Sequence, residues 1–171
     1  MAILTHDEIV KRIEEGTIVI DPLDKQKIGP ASIDLTLDKT FRVFKSLHNP
    51  IELNSDNFDV DAVSEVITVD KSITLQSKQT ILGMTVEKVT FPSNICGWIQ
   101  GRSRFARIGL MVHISSSFIH PGISNKQVLE LFNAGPIPIA IYPGISICQI
   151  IFEETIGSAS YTGQFQGQQT P

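Results

Sequence analysis

The stretch IHPGISNKQVLELFNAGPIPIAIYPGISICQIIFE, residues 119–153, decides the fold class. It holds three apolar runs, QVLELFN (127–133), IPIAIY (137–142) and ISICQIIFE (145–153), introduced and separated by the turn signals IHPGISN, NAGP and YPG. Proline fixes φ and withholds an amide hydrogen, while glycine supplies positive φ, so each signal ends a ladder and lets the chain reverse. Short apolar runs bounded this way read as strands.

The same punctuation extends toward the N-terminus. In ASIDLTL (31–37), Ile33, Leu35 and Leu37 alternate with Ser32, Asp34 and Thr36, and FRVFK (41–45) continues the alternation. EVITV (65–69), TILGMTVEKV (80–89), NICGWIQ (94–100) and GLMVHI (109–114) are further strand candidates. One helix is signalled, in THDEIVKRIEEG (5–16): Thr5 and Glu8 have capping-box spacing, Ile9, Val10 and Ile13 share a face, and Gly16 supplies a left-handed stop. The expected fold is mainly β, a distorted β-barrel or jelly roll with a short N-terminal helix. With no internal repeat and no dividing linker, residues 1–171 read as one domain. The acidic segment NSDNFDVDAVSE (54–65) reads as a solvated loop. Residues 158–171, rich in Gln, Gly, Ser and Thr, read as a flexible tail or as a lid that closes over a ligand.

Composition narrows the function. The formal net charge is -4 and charged residues make up 19% of the chain, which argues against broad nucleic-acid binding through basic surface. Cys96 and Cys148 stand apart in apolar runs, without zinc-site spacing, and read as buried reduced thiols. No apolar run approaches a membrane span, and MAILTHDE lacks the pattern of a signal peptide, so a cytoplasmic protein with no membrane partner is expected.

Against that acidic background, GRSRFAR (101–107) places Arg102, Arg104 and Arg107 within six positions. Guanidinium forks match phosphate oxygens, Ser103 adds a hydroxyl, and Gly101 allows close backbone approach. The same arginines also suit a solvated turn or an intersubunit salt bridge. Glu130 is the second anomaly: alternation puts it on the face of Val128 and Phe132, opposite Leu129 and Leu131. A carboxylate flanked by apolar residues should find a cation, with Arg107 the structural candidate, or carry a raised pKa suited to proton transfer. Among the histidines, His6 and His48 read as surface, His113 as a core residue, and His120 as a polar contact at a turn.

GRSRFARIGLMVH, IHPG, VLELFN, YPG and QFQGQQ together closely resemble the dCTP deaminases of the dUTPase-like superfamily, and IGPASIDLTLDKTFRVFK resembles their N-terminal portion. The resemblance implies a jelly-roll-like homotrimer with active sites between subunits, and a C-terminal segment that folds over the nucleotide. It implies dCTP as substrate, Mg²⁺ bridging its phosphates, and dUTP and ammonia as products. No zinc takes part, unlike in the cytidine deaminases with their H-x-E and P-C-x-x-C signature. By motif, Glu130 matches the catalytic acid–base, and Ser103 and Arg107 match residues that hold it and the attacking water. Arg102, Ser103 and Arg104 match the phosphate-binding stretch, and the Val128 backbone matches a contact to the pyrimidine. Tyr161 and Gln168 match closing residues of the tail, and Ser116, His120 and Gln164 complete the substrate-binding set.

The chain departs from that pattern at several positions. Arg104 stands for a second serine, Gln164 for a phosphate-binding lysine, Ile123 for a tryptophan and Asn125 for a glycine. His120 stands for an aspartate that touches the sugar 3′-hydroxyl and, in relatives that hydrolyse dUTP, is tied to the diphosphatase step. A dUTP diphosphatase or bifunctional enzyme is the rival catalytic expectation. A catalytically silent, trimeric nucleotide-binding protein is the rival of another class.

Overall fold

The computed structural model describes residues 2–52 and 59–171. The first helix, α1 (His6–Glu14), buries Ile9 completely and ends where Gly16 takes φ +70. The expected capping box does not form. Thr5 is extended at the cap without a side-chain bond, while Glu8 turns along the helix to accept from Arg12 Nε at 2.6 Å. Arg12 also reaches Glu154 at 2.6 Å, so an ion-pair chain ties the helix to the last strand instead of reinforcing its first turn.

Strands then follow one another: β1 (Val19–Asp21), β2 (Ile33–Thr36), β3 (Thr40–Phe44), β4 (Ser64–Thr68), β5 (Ile73–Leu75) and β6 (Thr80–Thr90). After them come β7 (Ile95–Gly101), β8 (Leu110–Met111), β9 (Phe118–Ile119), β10 (Ser124–Asn133), β11 (Ile139–Ile141) and β12 (Ser146–Glu154). Two short helices interrupt the series, α2 (Val60–Val63) between β3 and β4 and α3 (Ser103–Ala106) between β7 and β8. The loop expected over 54–65 lies outside the described residues as far as 58. From Asp59 onward it is α2, capped by the Asp59 carboxylate on the Asp61 amide, and then strand.

One sheet has the order β4-β3-β6-β10-β8, with β1 also on β6; a second has the order β2-β12-β7-β9; β11 and β5 form a two-stranded ribbon. Among the described residues the sheets do not close into a barrel, so the jelly-roll form of the expectation is the one that fits. Phe41, Ile81, Leu129 and Leu131 from the first sheet join Ile33, Leu35, Ile99, Ile150 and Phe152 from the second in one buried cluster. Fully burying a side chain of this size stabilises by about 1.5–3 kcal/mol, so the alternating strands are held chiefly by this shared core.

Two irregularities position the site. Opposite β10, strand β6 passes from Lys88 beside Lys126 to Met84 beside Val128, leaving residues 85–87 facing Gln127 alone. The Gln127 amide is satisfied by the Thr85 hydroxyl at 3.0 Å, so β10 itself continues its alternation through the irregularity. Strand β8 is also shorter than the expected run over 109–114. Its ladder covers only Leu110 and Met111, because the amides of Ile114, Ser115 and Ser116 are drawn to a side chain across the turn.

Candidate functional site

That side chain is Glu130. Its Oε2 accepts from the backbone amides of Ile114 at 2.6 Å, Ser115 at 2.8 Å and Ser116 at 3.2 Å, and the Ser115 hydroxyl stands 3.4 Å from Oε1. Burial pushes the carboxyl upward, but the three amides and the hydroxyl outweigh it and hold Glu130 below the ordinary carboxylate range. The expected raised pKa is therefore overturned. No ion pair joins Glu130 to Arg107 among the described residues either. Three successive amides supply the positive potential that the arginine was expected to bring.

Glu130 lines a pocket of about 1090 Å³, large enough for a nucleotide-sized ligand. The floor is one edge of β10. The Ser124 amide donates to Gln166 Oε1 and the Lys126 amide to the Gln168 carbonyl, so the even-numbered peptide groups face away from β6. By alternation the peptide groups of Val128 and Glu130 face the same way. Among the described residues no strand pairs with that edge until β8 meets it at Phe132. A short window of backbone donors and acceptors thus opens beside the Glu130 carboxylate.

The C-terminal segment adds a wall that docks against the start of β10. Tyr161 donates its amide to the Pro121 carbonyl at 2.9 Å, and the Asn125 side chain donates to the Phe165 carbonyl at 2.8 Å. Gln166 grips two backbone groups, accepting from Ser124 and donating to the Gly122 carbonyl. Gly122 sits at φ +74, and a Cβ there would lie 2.8 Å from the Ser160 backbone, so the approach of this segment needs glycine. His120 stacks on Tyr161 with centroids 5.2 Å apart and planes 14° from parallel, and meets the edge of Phe118 at 4.9 Å. Ser116, His120, Val128, Glu130, Tyr161, Gln164 and Gln168 all line this one pocket.

The arginine turn does not. Arg102, Ser103, Arg104 and Arg107 are absent from the pocket lining and sit on and around α3. Arg102 pairs with Asp34 of β2 at 2.6 Å, whereas Arg104 and Arg107 are exposed and make no ion pair among the described residues. Gly109 fixes this turn: at φ +85 its missing side chain would lie 2.5 Å from the Gly135 nitrogen, so α3 is pressed against the β10–β11 connection. A single copy of the chain therefore holds the anticipated site residues as two separate groups. Around the arginines, Ile108 (54% exposed), Met111 (39%) and Ile114 (48%) leave apolar surface uncovered.

Several pocket residues escaped the sequence reading. Arg42 lines the pocket and is only 6% exposed, and the alternation of its strand had given it no role. Asn125 and Gln127 form a buried chain in which Gln127 Nε2 donates to Asn125 Oδ1 at 2.6 Å. Lys126 pairs with Asp38 at 2.9 Å and holds that carboxyl low against the opposing effect of burial. The one legible signal was polar residues at every position of SNKQ, just before an apolar strand. Elsewhere, Cys96 faces Glu153 and Cys148 faces Gly101 across the β7–β12 ladder; both are buried, and burial pushes the Cys148 thiol strongly upward. No helix among the described residues is long and apolar enough to cross a membrane.

Comparison with known proteins places this geometry. A solved 2′-deoxycytidine 5′-triphosphate deaminase from Agrobacterium tumefaciens superposes with TM-score 0.67 at 18% identity, covering 88% of this chain and 47% of that one. A dUTPase from phage phi11 of S. aureus superposes with TM-score 0.52 at 11% identity, covering 86% and 96%. At such identities the likeness is one of fold. By sequence, the chain is 44% identical over 165 residues to a dCTP deaminase of Marinomonas sp. (strain MWYL1), covering 91% of this chain and 85% of that protein. It is 39% identical over 156 residues to a dUMP-forming dCTP deaminase of Methanosphaera stadtmanae, covering 90% and 79%. Since a family model described as dCTP deaminase-like also matches residues 3–155, most of the chain's length, the chain belongs to that family.

Proposed function

We propose that the chain is a dCTP deaminase that converts dCTP and water to dUTP and ammonia. The observation that carries the proposal is an ionised carboxylate, Glu130, standing beside an open backbone edge in a nucleotide-sized pocket. The peptide groups of Val128 offer a donor and an acceptor to the pyrimidine edge. Glu130 takes a proton from water as its oxygen bonds to C4, and returns protons to the amino group so that it leaves as ammonia. With Oε2 occupied by three amides, Oε1 is the oxygen available for this traffic.

The triphosphate needs more cationic donors than the pocket of one copy supplies, since its Arg42 and Lys126 are already held by Asp61 and Asp38. In the proposed homotrimer, Arg102, Ser103, Arg104 and Arg107 of one copy complete the pocket of its neighbour. Arg104 and Arg107, exposed and without an ion pair among the described residues, and the uncovered apolar surface beside them support that arrangement. Ser103 and Arg107 would hold the water and Glu130, while Arg102, already oriented by Asp34, keeps further guanidinium donors for phosphate. Ser116, His120, Tyr161, Gln164 and Gln168 line the space left for sugar, phosphates and base.

Mg²⁺ is proposed to enter on the triphosphate and to neutralise part of its charge. No three His, Cys, Asp or Glu side chains among the described residues stand together as a metal cage, so the phosphates are its natural ligands. The reading invokes no zinc, no nucleic acid and no membrane, and places the enzyme in the cytoplasm. His120 presents an imidazole to the Tyr161 ring where a second hydrolytic step would call for a carboxylate, which favours dUTP as the end product.

Incubation with dCTP and Mg²⁺, followed by separation of the products, tests the proposal. Formation of dUTP and ammonia without pyrophosphate is expected. Appearance of dUMP and pyrophosphate would make the enzyme bifunctional, and bound but unconverted dCTP would overturn catalysis altogether. Mixing Glu130→Gln chains with Arg107→Ala chains tests the shared site. Each is inactive alone, and hybrids should regain activity because some pockets carry neither substitution; no recovery in verified hybrids refutes sharing.

A further inference from the structure

Arg42 is a buried cation with no role in the reading so far. It lies on β3 and is 6% exposed, so its charge requires partners close by. They come from two directions. Nη1 donates to Asp61 Oδ1 at 2.6 Å and to Ser64 Oγ at 2.9 Å, on the α2–β4 segment. Nε donates to the Pro171 carbonyl at 2.7 Å, at the far end of the C-terminal segment. Both segments line the pocket, Asp59 and Val60 from the first and Thr170 and Pro171 from the second.

The other attachments of the C-terminal segment near the pocket join neutral groups. They include the Tyr161 amide on Pro121, the Asn125 side chain on the Phe165 carbonyl, the Lys126 amide on the Gln168 carbonyl, and the Gln166 side chain on the Ser124 amide and the Gly122 carbonyl. A hydrogen bond from a guanidinium is roughly twice as strong as a neutral one, and this one is shielded from water.

We propose that Arg42 is a positioning residue of the pocket, clamping the C-terminal segment to the α2 wall and so holding that segment across the ligand. The proposal rests on the reading of this pocket as the nucleotide site only for its kinetic consequence. Arg42 touches none of the reacting atoms in that reading, so it acts on substrate affinity and leaves the chemical step alone.

The test uses the full chain and two variants, Arg42→Gln and a deletion of Thr170 and Pro171 that keeps Arg42. Hydrogen exchange without nucleotide should show the Lys126 amide exchanging about tenfold faster in both, because its acceptor, the Gln168 carbonyl, departs more often. With dCTP, KM should rise about tenfold and kcat stay within about threefold. A folded Arg42→Gln chain with unchanged exchange at Lys126 and unchanged KM overturns the clamp. If Arg42→Gln does not fold, the deletion decides: the same two changes uphold the clamp and wild-type values reject it. Should the chain fail to deaminate dCTP, the exchange measurement still decides the clamp, while the proposed function falls separately.

Discussion

Replacing Glu130 by Gln separates its chemical role from its structural one. The side chain keeps its shape, and its carbonyl oxygen can still accept from the three amides that Oε2 now receives at 2.6, 2.8 and 3.2 Å. What is lost is the extra strength of bonds to a charged acceptor, about 1 kcal/mol per donor before solvent screening. The neutral amide is easier to bury, which offsets part of that loss. We expect a net destabilisation below about 2 kcal/mol, or a fall in Tm of less than about 8 °C for a chain of this size. The catalytic loss should be far larger, about 10²- to 10⁴-fold in kcat, because the amide cannot carry the proton. Binding of dCTP, measured by calorimetry, should change by no more than about threefold.

The pH dependence has a definite sign. A carboxylate held low in the fold stabilises it above the unfolded value of about 4.3, and loses that contribution as pH falls through the folded value. The stability difference between wild type and Glu130→Gln should therefore be full near neutrality and vanish in acid. For the same reason the acid limb of kcat/KM should fall below the ordinary glutamate range. Deamination above a tenth of the wild-type rate in Glu130→Gln, or a full-size stability difference persisting at pH 3, would refute the reasoning.

Two further outcomes follow from the packing. Gly109→Ala puts a Cβ 2.5 Å from the Gly135 nitrogen at φ +85, so it should cost about 2–4 kcal/mol, whereas Gly144→Ala, at φ +87 with nothing within 4 Å, should cost about 1–2 kcal/mol; equal losses in thermal melts would mean the α3 turn is not held by that close approach. Cys148 is fully buried with its thiol pushed upward, so iodoacetamide at pH 8 should label it only as the chain unfolds, and labelling at the rate of a free thiol would contradict its place in the core.

The limits of the sequence reading fall where a side chain's partner comes from far along the chain. Thr5 and Glu8 have capping spacing, yet Glu8 is claimed by Arg12, itself oriented by Glu154. Glu130 was visibly out of place among apolar neighbours, but spacing pointed toward a guanidinium. The donors were backbone amides of 114–116, at and just beyond the end of a run read as strand. Arg42 drew no notice because alternation says nothing about what later covers a polar face. The C-terminal segment, without periodicity, gave no local clue to docking; its bonds to Pro121, Asn125 and Lys126 exist only once β10 offers an unpaired edge.

By itself, then, the amino-acid order determined the longer strands, many of the turns between them, the N-terminal helix and the family, since these rest on short-range steric preferences and on local motifs; the short strands β1, β5 and β9 were not legible in it. Tertiary structure alone decided which residues share a pocket. It gathered Glu130, Val128, His120 and Tyr161 at one edge of β10 and set Arg102, Arg104 and Arg107 on a separate turn. The reason is physical: the charge state of a carboxylate and the burial of a guanidinium depend on every group within a few ångströms, and folding draws those groups from distant parts of the chain.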